Sequence, residues 1–170
     1  PQEKGVLRGS VRPTTIVEND LKYTVDILEG QKTGFFLDQR ENRLAIRRFS
    51  PGAAVLDCFC NDGGFSLNAA QNDAASVLGI DSSGEAIRNA RANAALNNIS
   101  TARFVQADVF DELQLLFQRR EVFDVIVLDP PSFTKSRKNV QTAKKGYREL
   151  HLHALQVLKR GGILFTASCS

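Results

Sequence analysis

Four acidic residues end or follow strand-like segments, and together they could line a ligand crevice. They are Asp57, Asp81, Asp108 and Asp129. In an open α/β fold the carboxyl ends of parallel strands meet at one edge, and ligands bind there. A glycine turn lets a ligand approach the backbone, and an acid at the next strand end can hold ribose hydroxyls. The pattern predicts a crevice for a nucleotide-type cofactor.

The turn after Asp57 favours a cationic cofactor over a dinucleotide. A dinucleotide fold would place Gly-x-Gly-x-x-Gly here, to seat a pyrophosphate on a helix N-terminus. This chain has only Gly63 and Gly64, preceded by Asn61 and Asp62. Acids at this point repel a pyrophosphate and attract a sulfonium and an α-amino group. We therefore predict S-adenosylmethionine rather than NAD, although a turn that merely closes a βα unit would carry the same glycines.

Two of the other acids have a structural alternative. Asp81 fits a ribose contact, but it also precedes Ser82, Ser83 and Gly84 as a helix-capping residue would. Asp108, with the adjacent backbone amides, could recognise an adenine amine. It could equally be the N-cap of the helix that follows.

The segment Asp129-Pro130-Pro131-Ser132-Phe133 is the most specific of these signals. We expect Asp129 at the carboxyl end of the central strand. Proline has no N–H, so the backbone that follows offers only carbonyl acceptors. Such a site suits a planar heterocycle held by its amine edge, and the alternative is a strand ended by turn residues.

Cys169 ends the last strand-like segment, which we expect beside the strand that precedes Asp129. A thiolate there could attack a base, although a free cysteine is usually a small buried hydrophobe. The Cys58-x-Cys60 pair lacks the roughly four ligands of a zinc site, so we predict no metal. His151 and His153 are two residues apart on a predicted helix and face different ways, which argues against a catalytic role.

A run of cations follows the proline segment and contains no acid. It consists of Lys135, Arg137, Lys138, Lys144, Lys145 and Arg148. A charge run is usually solvated surface, but one beside a base-holding loop suits phosphate contacts, with Lys135, Arg137 and Lys138 nearest. The net charge of +3 permits a nucleic-acid partner without demanding one. We predict RNA as the partner.

The elements expected to position these residues alternate between strand and helix. The predicted strands are 53–57, 76–80, 102–106, 123–128 and 163–167. The predicted helices begin near Gly64, span 84–97, carry Leu113, Leu116 and Phe117 at core spacing, and span 143–158, with Lys159 and Arg160 in the last turn. A hairpin around Asn19-Asp20 and a charged helix over 38–49 precede them. Apolar strands between helices predict an α/β fold with a doubly wound, mainly parallel sheet.

The composition fits one ordinary domain. The chain has 170 residues, of which 42% are hydrophobic, and it has three cysteines. No apolar run approaches the ~20 residues that span a bilayer, so no membrane partner is expected. The cysteine count is typical of a reduced, cytoplasmic protein. The oligomeric state stays open, with a homodimer as one option.

With these residues in place, the chain resembles the class I S-adenosylmethionine-dependent methyltransferases. More narrowly, it resembles the bacterial large-subunit ribosomal RNA 5-methylcytosine methyltransferases. The segments that carry the resemblance are 29–40, 59–66, 129–133 and 168–170. One departure is Asn61-Asp62, where the family usually has Tyr-Thr. The family also has an N-terminal PUA domain and further C-terminal strands, so residues 1–30 would link to an upstream domain and 31–170 would be a C-terminally truncated methyltransferase domain.

The resemblance implies a Rossmann-like fold and a role for each site residue. Gln39 and Arg40 would lie near the methionine end of the cofactor, and the 60–65 turn would line it. Asp81 with Ser82 would bind ribose, and Asp108 with Val109 the adenine. Asp129 would hold the target cytosine beside the cofactor, and Cys169 would be the nucleophile. The turn residues concerned are Cys60, Asn61, Gly63, Gly64 and Phe65.

The implied reaction is methylation of carbon 5 of a cytosine in ribosomal RNA through a covalent Cys–cytosine intermediate. Three alternatives stay open at this point. The enzyme could methylate an exocyclic amine of guanine or adenine in RNA, for which no nucleophile is needed. It could be an NAD(P)-dependent oxidoreductase, against which the missing third glycine counts. It could also be a non-catalytic module that only binds RNA.

Overall fold

The computed structural model describes residues 10, 12–26, 35–133 and 140–167. Within these residues the strands and helices alternate as the apolar runs predict. The elements are β1 (Thr14–Glu18), β2 (Leu21–Val25), α1 (Arg40–Ala45), β3 (Ala54–Cys58), α2 (Gly64–Gln71), β4 (Ser76–Asp81), α3 (Gly84–Leu96), β5 (Ala102–Gln106), α4 (Val109–Gln118), β6 (Phe123–Leu128), α5 (Val140–Val157) and β7 (Leu158–Thr166).

The five later strands form one parallel sheet in the order β5-β4-β3-β6-β7. This confirms the doubly wound α/β fold, with β7 beside β6 as expected. The strand that precedes Asp129 is not the central one, because β3 occupies the centre and β6 lies between β3 and β7. Among the described helices, none combines the length and apolar composition that crossing a membrane requires.

The N-terminal hairpin is confirmed. β1 and β2 pair antiparallel around Asn19 and Asp20, whose φ values of 52° and 65° are those of a tight two-residue turn. Alternate residues of β2, namely Leu21, Tyr23 and Val25, are buried. They pack in a cluster with residues of α2, α3 and β5, so the hairpin shares a hydrophobic core with those elements. Ile27 continues the same alternation in the sequence and lies outside the described residues.

Two local predictions differ from the structure. Phe117 is 51% exposed, because the buried residues of that helix are Val109, Leu113 and Leu116. The helix predicted to end with Lys159 and Arg160 ends at Val157, and the next residue already pairs with β6. Lys159 instead lies in β7 and donates to Asp124 Oδ1 at 2.7 Å, so it forms an ion pair with the neighbouring strand and does not end a helix. The 38–49 helix is confirmed as helical, although 3-10 turns flank α1.

Glycine in β4 makes room for an aromatic ring. Gly79 pairs with Phe104 across β4 and β5, and a Cβ on Gly79 would lie 2.6 Å from Phe104 Cδ1. The same ring lies 3.2 Å from the Cβ position of Gly63 in the turn after β3. Phe104 thus fills space that two glycines leave free, and its ring packs against the turn after β3.

We expect Gly79→Ala to lower the free energy of unfolding by roughly 1–3 kcal/mol, because it overpacks this site. Urea unfolding measures the effect. Combining it with Phe104→Leu should cost less than the sum of the two single changes, since the smaller side chain makes room for the methyl group. Strict additivity would contradict the proposed clash.

Candidate functional site

The four acids predicted to line a ligand crevice do lie along one edge of the sheet. Asp81 is the last residue of β4, and Asp57 is the penultimate residue of β3. Asp108 follows β5 and Asp129 follows β6. This is the carboxyl edge, and the order β5-β4-β3-β6 sets the acids side by side across it. The edge is therefore the candidate site.

Asp57 is fully buried and has one free carboxylate oxygen. Its Oδ2 accepts hydrogen bonds from Ser66 N at 2.9 Å and Ser66 Oγ at 2.6 Å. Its Oδ1 has no hydrogen-bond partner. Burial raises the pKa of Asp57 to about 7, against the lowering effect of the Ser66 hydrogen bonds, and the charges of Asp129 and Asp81 add to the rise. A cationic donor brought to Oδ1 would satisfy the oxygen and favour the ionised form.

The turn after β3 has an unusual backbone. Phe59, Asn61 and Gly63 have φ values of 64°, 46° and 85°. A Cβ on Gly64 would lie 2.6 Å from Arg43 Cδ, so the backbone is closely packed there as well. Backbone of this kind persists only where its surroundings hold it. Gly63 thus allows a positive φ, and Gly64 allows close packing against Arg43. The approach of a ligand to this backbone stays a prediction.

The other predicted turn residues contribute in different ways. The Cys60 side chain is 4% exposed and packs in the core, and burial raises the pKa of its thiol. Only the Cys60 backbone is thus placed to face a ligand. Phe65 is buried, and its ring borders a cavity that Asp129 also lines.

Asp81 joins two loops at the edge. Its Oδ2 accepts from Asn61 N at 3.0 Å, and its Oδ1 accepts from Ser83 N at 2.9 Å. The helix-capping alternative belongs to Ser83, whose side chain accepts from Ala86 N at 3.2 Å. Ser82 is exposed. The carboxylate is consequently held in a fixed orientation, which suits a ribose contact.

Asp108 is the N-cap of α4. Its Oδ1 accepts from Phe110 N at 2.8 Å and Asp111 N at 3.3 Å. This confirms the structural alternative, and the adenine role stays a prediction that the cap does not exclude. The Val109 side chain is 2% exposed and lies in the core, so only its backbone is available to a ligand.

Asp129 lies beside α1. Gln39 Nε2 donates to Asp129 Oδ1 at 3.3 Å, and Asn42 Nδ2 donates to Gln39 Oε1 at 2.7 Å. A cavity of about 80 Å³ opens next to these hydrogen-bonded side chains, between α1 and the ends of β6 and β7. The Arg40 side chain is 63% exposed, and its ion pair, at 4.0 Å, is with Glu41. Its place near the methionine end of the cofactor stays a prediction.

The proline segment is anchored by its last residue. Pro130 is buried and Pro131 is exposed, while Ser132 and Phe133 are partly buried. The Phe133 ring lies 4.5 Å from that of Tyr147, and a Cβ on Gly146 would lie 3.2 Å from it. The ring therefore packs on α5. Its predicted substrate role, and those of the three residues before it, stay predictions.

Four predicted site residues lie outside the described residues. They are Cys169, Lys135, Arg137 and Lys138. Within the described ranges, no group of three or more His, Cys, Asp or Glu residues is placed to hold a metal ion.

Sequence reasoning missed the residues that support the turn from other elements. Arg43 is 4% exposed, and its guanidinium bonds Glu18 of β1 at 2.6 and 2.8 Å. Asn93 of α3 is fully buried and bonds both the turn and the hairpin. In the sequence Arg43 looks like one more exposed cation. The spacing of Asn89, Asn93 and Asn97, four residues apart on one helix, was a signal that could have found the second.

The crevice suits a cationic nucleoside cofactor better than a dinucleotide. Buried Asp57 keeps one unpartnered oxygen at the turn, and Asp62 and Asp81 lie close by in the same loops. These carboxylates would repel a pyrophosphate and attract an α-amino group or a sulfonium. The donor set thus fits S-adenosylmethionine.

The chain matches one family of known domains and several named proteins. Residues 49–170 match the family model described as methyltransferase domain. The ribosomal RNA large subunit methyltransferase I of Photobacterium profundum is 44% identical over 173 residues, which are 99% of this chain and 44% of that protein. The Escherichia coli protein of the same name is 43% identical, covering 98% and 43%. The chain spans less than half the length of these relatives.

Solved structures agree with this match. A SAM-dependent methyltransferase from Streptococcus mutans has a TM-score of 0.81 at 28% identity, covering 94% of this chain and 42% of that one. A methyltransferase complexed with SAH has a TM-score of 0.82 at 29% identity, covering 95% and 43%.

Proposed function

The chain belongs to the methyltransferase domain family, and on that premise we propose that it transfers a methyl group from S-adenosylmethionine to carbon 5 of a cytosine in large-subunit ribosomal RNA. The observation that carries the cofactor is the unpartnered oxygen of buried Asp57 at the glycine turn. The relatives named ribosomal RNA large subunit methyltransferase I support the substrate. With the family known, the oxidoreductase alternative is not retained.

The cofactor would be held by residues of the carboxyl edge. Asp57 Oδ1 would accept from the α-amino group, and Asp81 from the ribose hydroxyls. Asp108 would accept from the adenine amine while it continues to cap α4. When bound, S-adenosylmethionine supplies an electrophilic methyl group. The solved relative complexed with SAH supports a cofactor of this chemical class.

The residues proposed for chemistry are Cys169 and Asp129. Carbon 5 of cytosine is a weak nucleophile, and addition of the Cys169 thiolate to carbon 6 would place electron density on carbon 5. Asp129 would hold the ring near N3 and stabilise or protonate it there. After carbon 5 gains the methyl group, a base would remove its proton, and the thiolate would leave as the ring double bond re-forms.

The second candidate is methylation of an exocyclic amine of guanine or adenine. The observation that favours it is Asp129 before two prolines, because such a loop can polarise an amine without any nucleophile. The two candidates differ in their need for Cys169. The non-catalytic module is less attractive, because an unpartnered carboxylate at full burial is costly unless a ligand uses it.

We place this activity in the cytoplasm, where ribosomal RNA is reached without a membrane. The basic run that contains Lys135, Arg137 and Lys138 would contact RNA phosphates. The target base must be splayed out of any folded RNA to reach a carboxyl-edge crevice. We leave the oligomeric state open, and residues 1–30 as a link to an upstream domain stay part of the proposal.

The decisive test is mass spectrometry of ribosomal RNA nucleosides from cells that lack the protein. We expect one 5-methylcytosine to disappear from large-subunit ribosomal RNA and to return with the wild-type gene. Loss of a methylated guanine or adenine instead would support the second candidate. An unchanged profile would refute both.

Asp108→Ser separates the two roles of that residue. Serine caps a helix about as well as aspartate, so we expect the free energy of unfolding to stay within about 0.5 kcal/mol. Loss of the carboxylate should weaken SAH binding about tenfold, which isothermal titration calorimetry measures. Asp108→Ala is the matched control, since it should lose about 1 kcal/mol of stability as well. Wild-type affinity in the serine variant would mean that Asp108 only caps α4.

A further inference from the structure

Three asparagines form a stripe along α3 and its C-cap residue, Asn97. Asn89, Asn93 and Asn97 are spaced by four residues, which puts them on the same side of the helix. Asparagine has a low helix propensity, so helix formation alone does not explain three of them on one side. Their side-chain contacts are therefore of interest. Each of the three makes different contacts.

Asn93 is fully buried and bonds two separate segments. Its Nδ2 donates to Asp62 O at 3.1 Å, within the turn after β3. Its Oδ1 accepts from Thr24 N at 2.9 Å, on β2 of the hairpin. A single side chain therefore joins the cofactor turn to the hairpin.

The two neighbours on the stripe each contact one of these segments. Asn89 Nδ2 donates to Asp62 Oδ1 at 3.2 Å, so Asn89 contacts the turn and not the hairpin. Asn97 accepts from Lys22 N at 2.8 Å and donates to Lys22 O at 2.7 Å, much as a neighbouring strand would. It also donates to the backbone Asn93 O at 2.7 Å, so it contacts the hairpin and its own helix but not the turn. The stripe thus contains its own controls.

A second tie joins the hairpin to the opposite flank of the turn. Arg43 bonds both carboxylate oxygens of Glu18, at the end of β1, and donates to Phe36 O at 2.8 Å. Its Cδ closes the space over Gly64, at 2.6 Å from a Cβ there. The hairpin therefore reaches the turn on both sides, at Asp62 through Asn93 and at Gly64 through Arg43.

The turn needs such support because of its backbone. Phe59 and Asn61 adopt positive φ without being glycine, which costs energy that the surroundings must offset. If the turn relaxed, the backbone that follows Asp57 would no longer keep its approach to a ligand. Pre-organisation of this kind raises affinity because less order has to be gained on binding.

We propose that Asn93 is a positioning residue for the cofactor turn, through which the β1–β2 hairpin holds that turn in its binding conformation. The inference rests on the proposed function only in that the turn binds S-adenosylmethionine or SAH. It gives the hairpin a part in cofactor binding, besides any role as a link to an upstream domain.

The experiment compares Asn93→Ala with Asn97→Ala by isothermal titration with SAH, at a temperature where both variants are folded. Both should lower the unfolding temperature, because both lose hairpin contacts. Only Asn93→Ala should weaken SAH binding, by about tenfold, while Asn97→Ala stays within about twofold of wild type. In steady-state assays the KM for S-adenosylmethionine should rise for Asn93→Ala, with the KM for RNA unchanged.

The outcomes separate the two proposals. Wild-type protein that binds no SAH would refute the proposed cofactor and leave Asn93 without this role. Wild-type protein that binds SAH, with Asn93→Ala equal to it or Asn97→Ala equally impaired, would overturn the positioning role alone. If Asn93→Ala does not fold, the isosteric Asn93→Asp replaces it. At about pH 8, in its ionised form, that variant keeps an acceptor for Thr24 N but has no hydrogen to donate to Asp62 O, so the same loss of affinity is expected.

Discussion

Cys169→Ala is expected to reduce methyl transfer to RNA by at least roughly 10³-fold, because no other group would add to carbon 6 of the cytosine. SAH affinity should stay within about twofold of wild type, because the residues proposed to bind the cofactor lie at the carboxyl ends of β3, β4 and β5, and Cys169 is not among them. Incorporation of labelled methyl groups into ribosomal RNA measures the first quantity, and isothermal titration calorimetry the second.

RNA containing 5-fluorocytosine makes the covalent step visible. Fluorine cannot leave carbon 5 as a proton does, so wild-type protein should accumulate a cross-linked complex that survives denaturing electrophoresis. Cys169→Ala should form none. Turnover within about tenfold of wild type in Cys169→Ala, with no adduct in the wild type, would refute the covalent route and favour methylation of an exocyclic amine.

Much of the fold could be predicted because its signals are local. Each buried strand is a short apolar run between turn residues, and β5 and β6 have the predicted bounds. The end of α5 could not be predicted, since Lys159 and Gly161 resemble helix-end residues in the sequence. In the structure they lie in β7, where Lys159 is held by Asp124 of the neighbouring strand. Pairing between strands outweighed the local helix-end signal.

The candidate site, like the fold, could be predicted where its signals are local and not where it depends on contacts between distant residues. Strand ends bring the predicted acids together, because parallel strands share one carboxyl edge. What holds the turn comes from residues far away in the chain, such as Arg43 and Phe104. Their types indicate an exposed cation and an ordinary core aromatic. Only the three-dimensional packing against Gly64 and Gly63 reveals that they support a backbone a ligand would approach.

The buried carboxyl of Asp57 gives a prediction in which binding and stability move in opposite directions. Its pKa is raised to about 7 from 3.8, chiefly by burial, so the folded protein retains a proton that the unfolded chain has already lost between those values. The folded state therefore binds more protons across that range, and stability without cofactor falls as the pH rises from about 4 to about 7. A bound ammonium group reverses the preference, since it favours the ionised carboxylate.

Asp57→Asn should separate these two effects, because the amide keeps the shape and an oxygen acceptor for Ser66 but carries no charge. We expect SAH affinity to fall about 30–100-fold at about pH 8, as for loss of one partner of a buried charge pair. Wild-type affinity should itself decline below about pH 7, and that of Asp57→Asn should be nearly independent of pH.

Without cofactor, Asp57→Asn should be at least as stable as wild type at about pH 8, because it removes a charge that burial penalises, and this gain should vanish near pH 4. Urea unfolding at both pH values tests this. Asp73→Asn is the matched control, since it removes an exposed carboxylate at the other edge of the sheet, where Asp73 O accepts from Gly52 N at 2.8 Å. It should leave SAH affinity unchanged. An Asp57→Asn variant that binds SAH like wild type would show that the buried carboxylate does not receive the cofactor, and the cofactor assignment would then lose its main support.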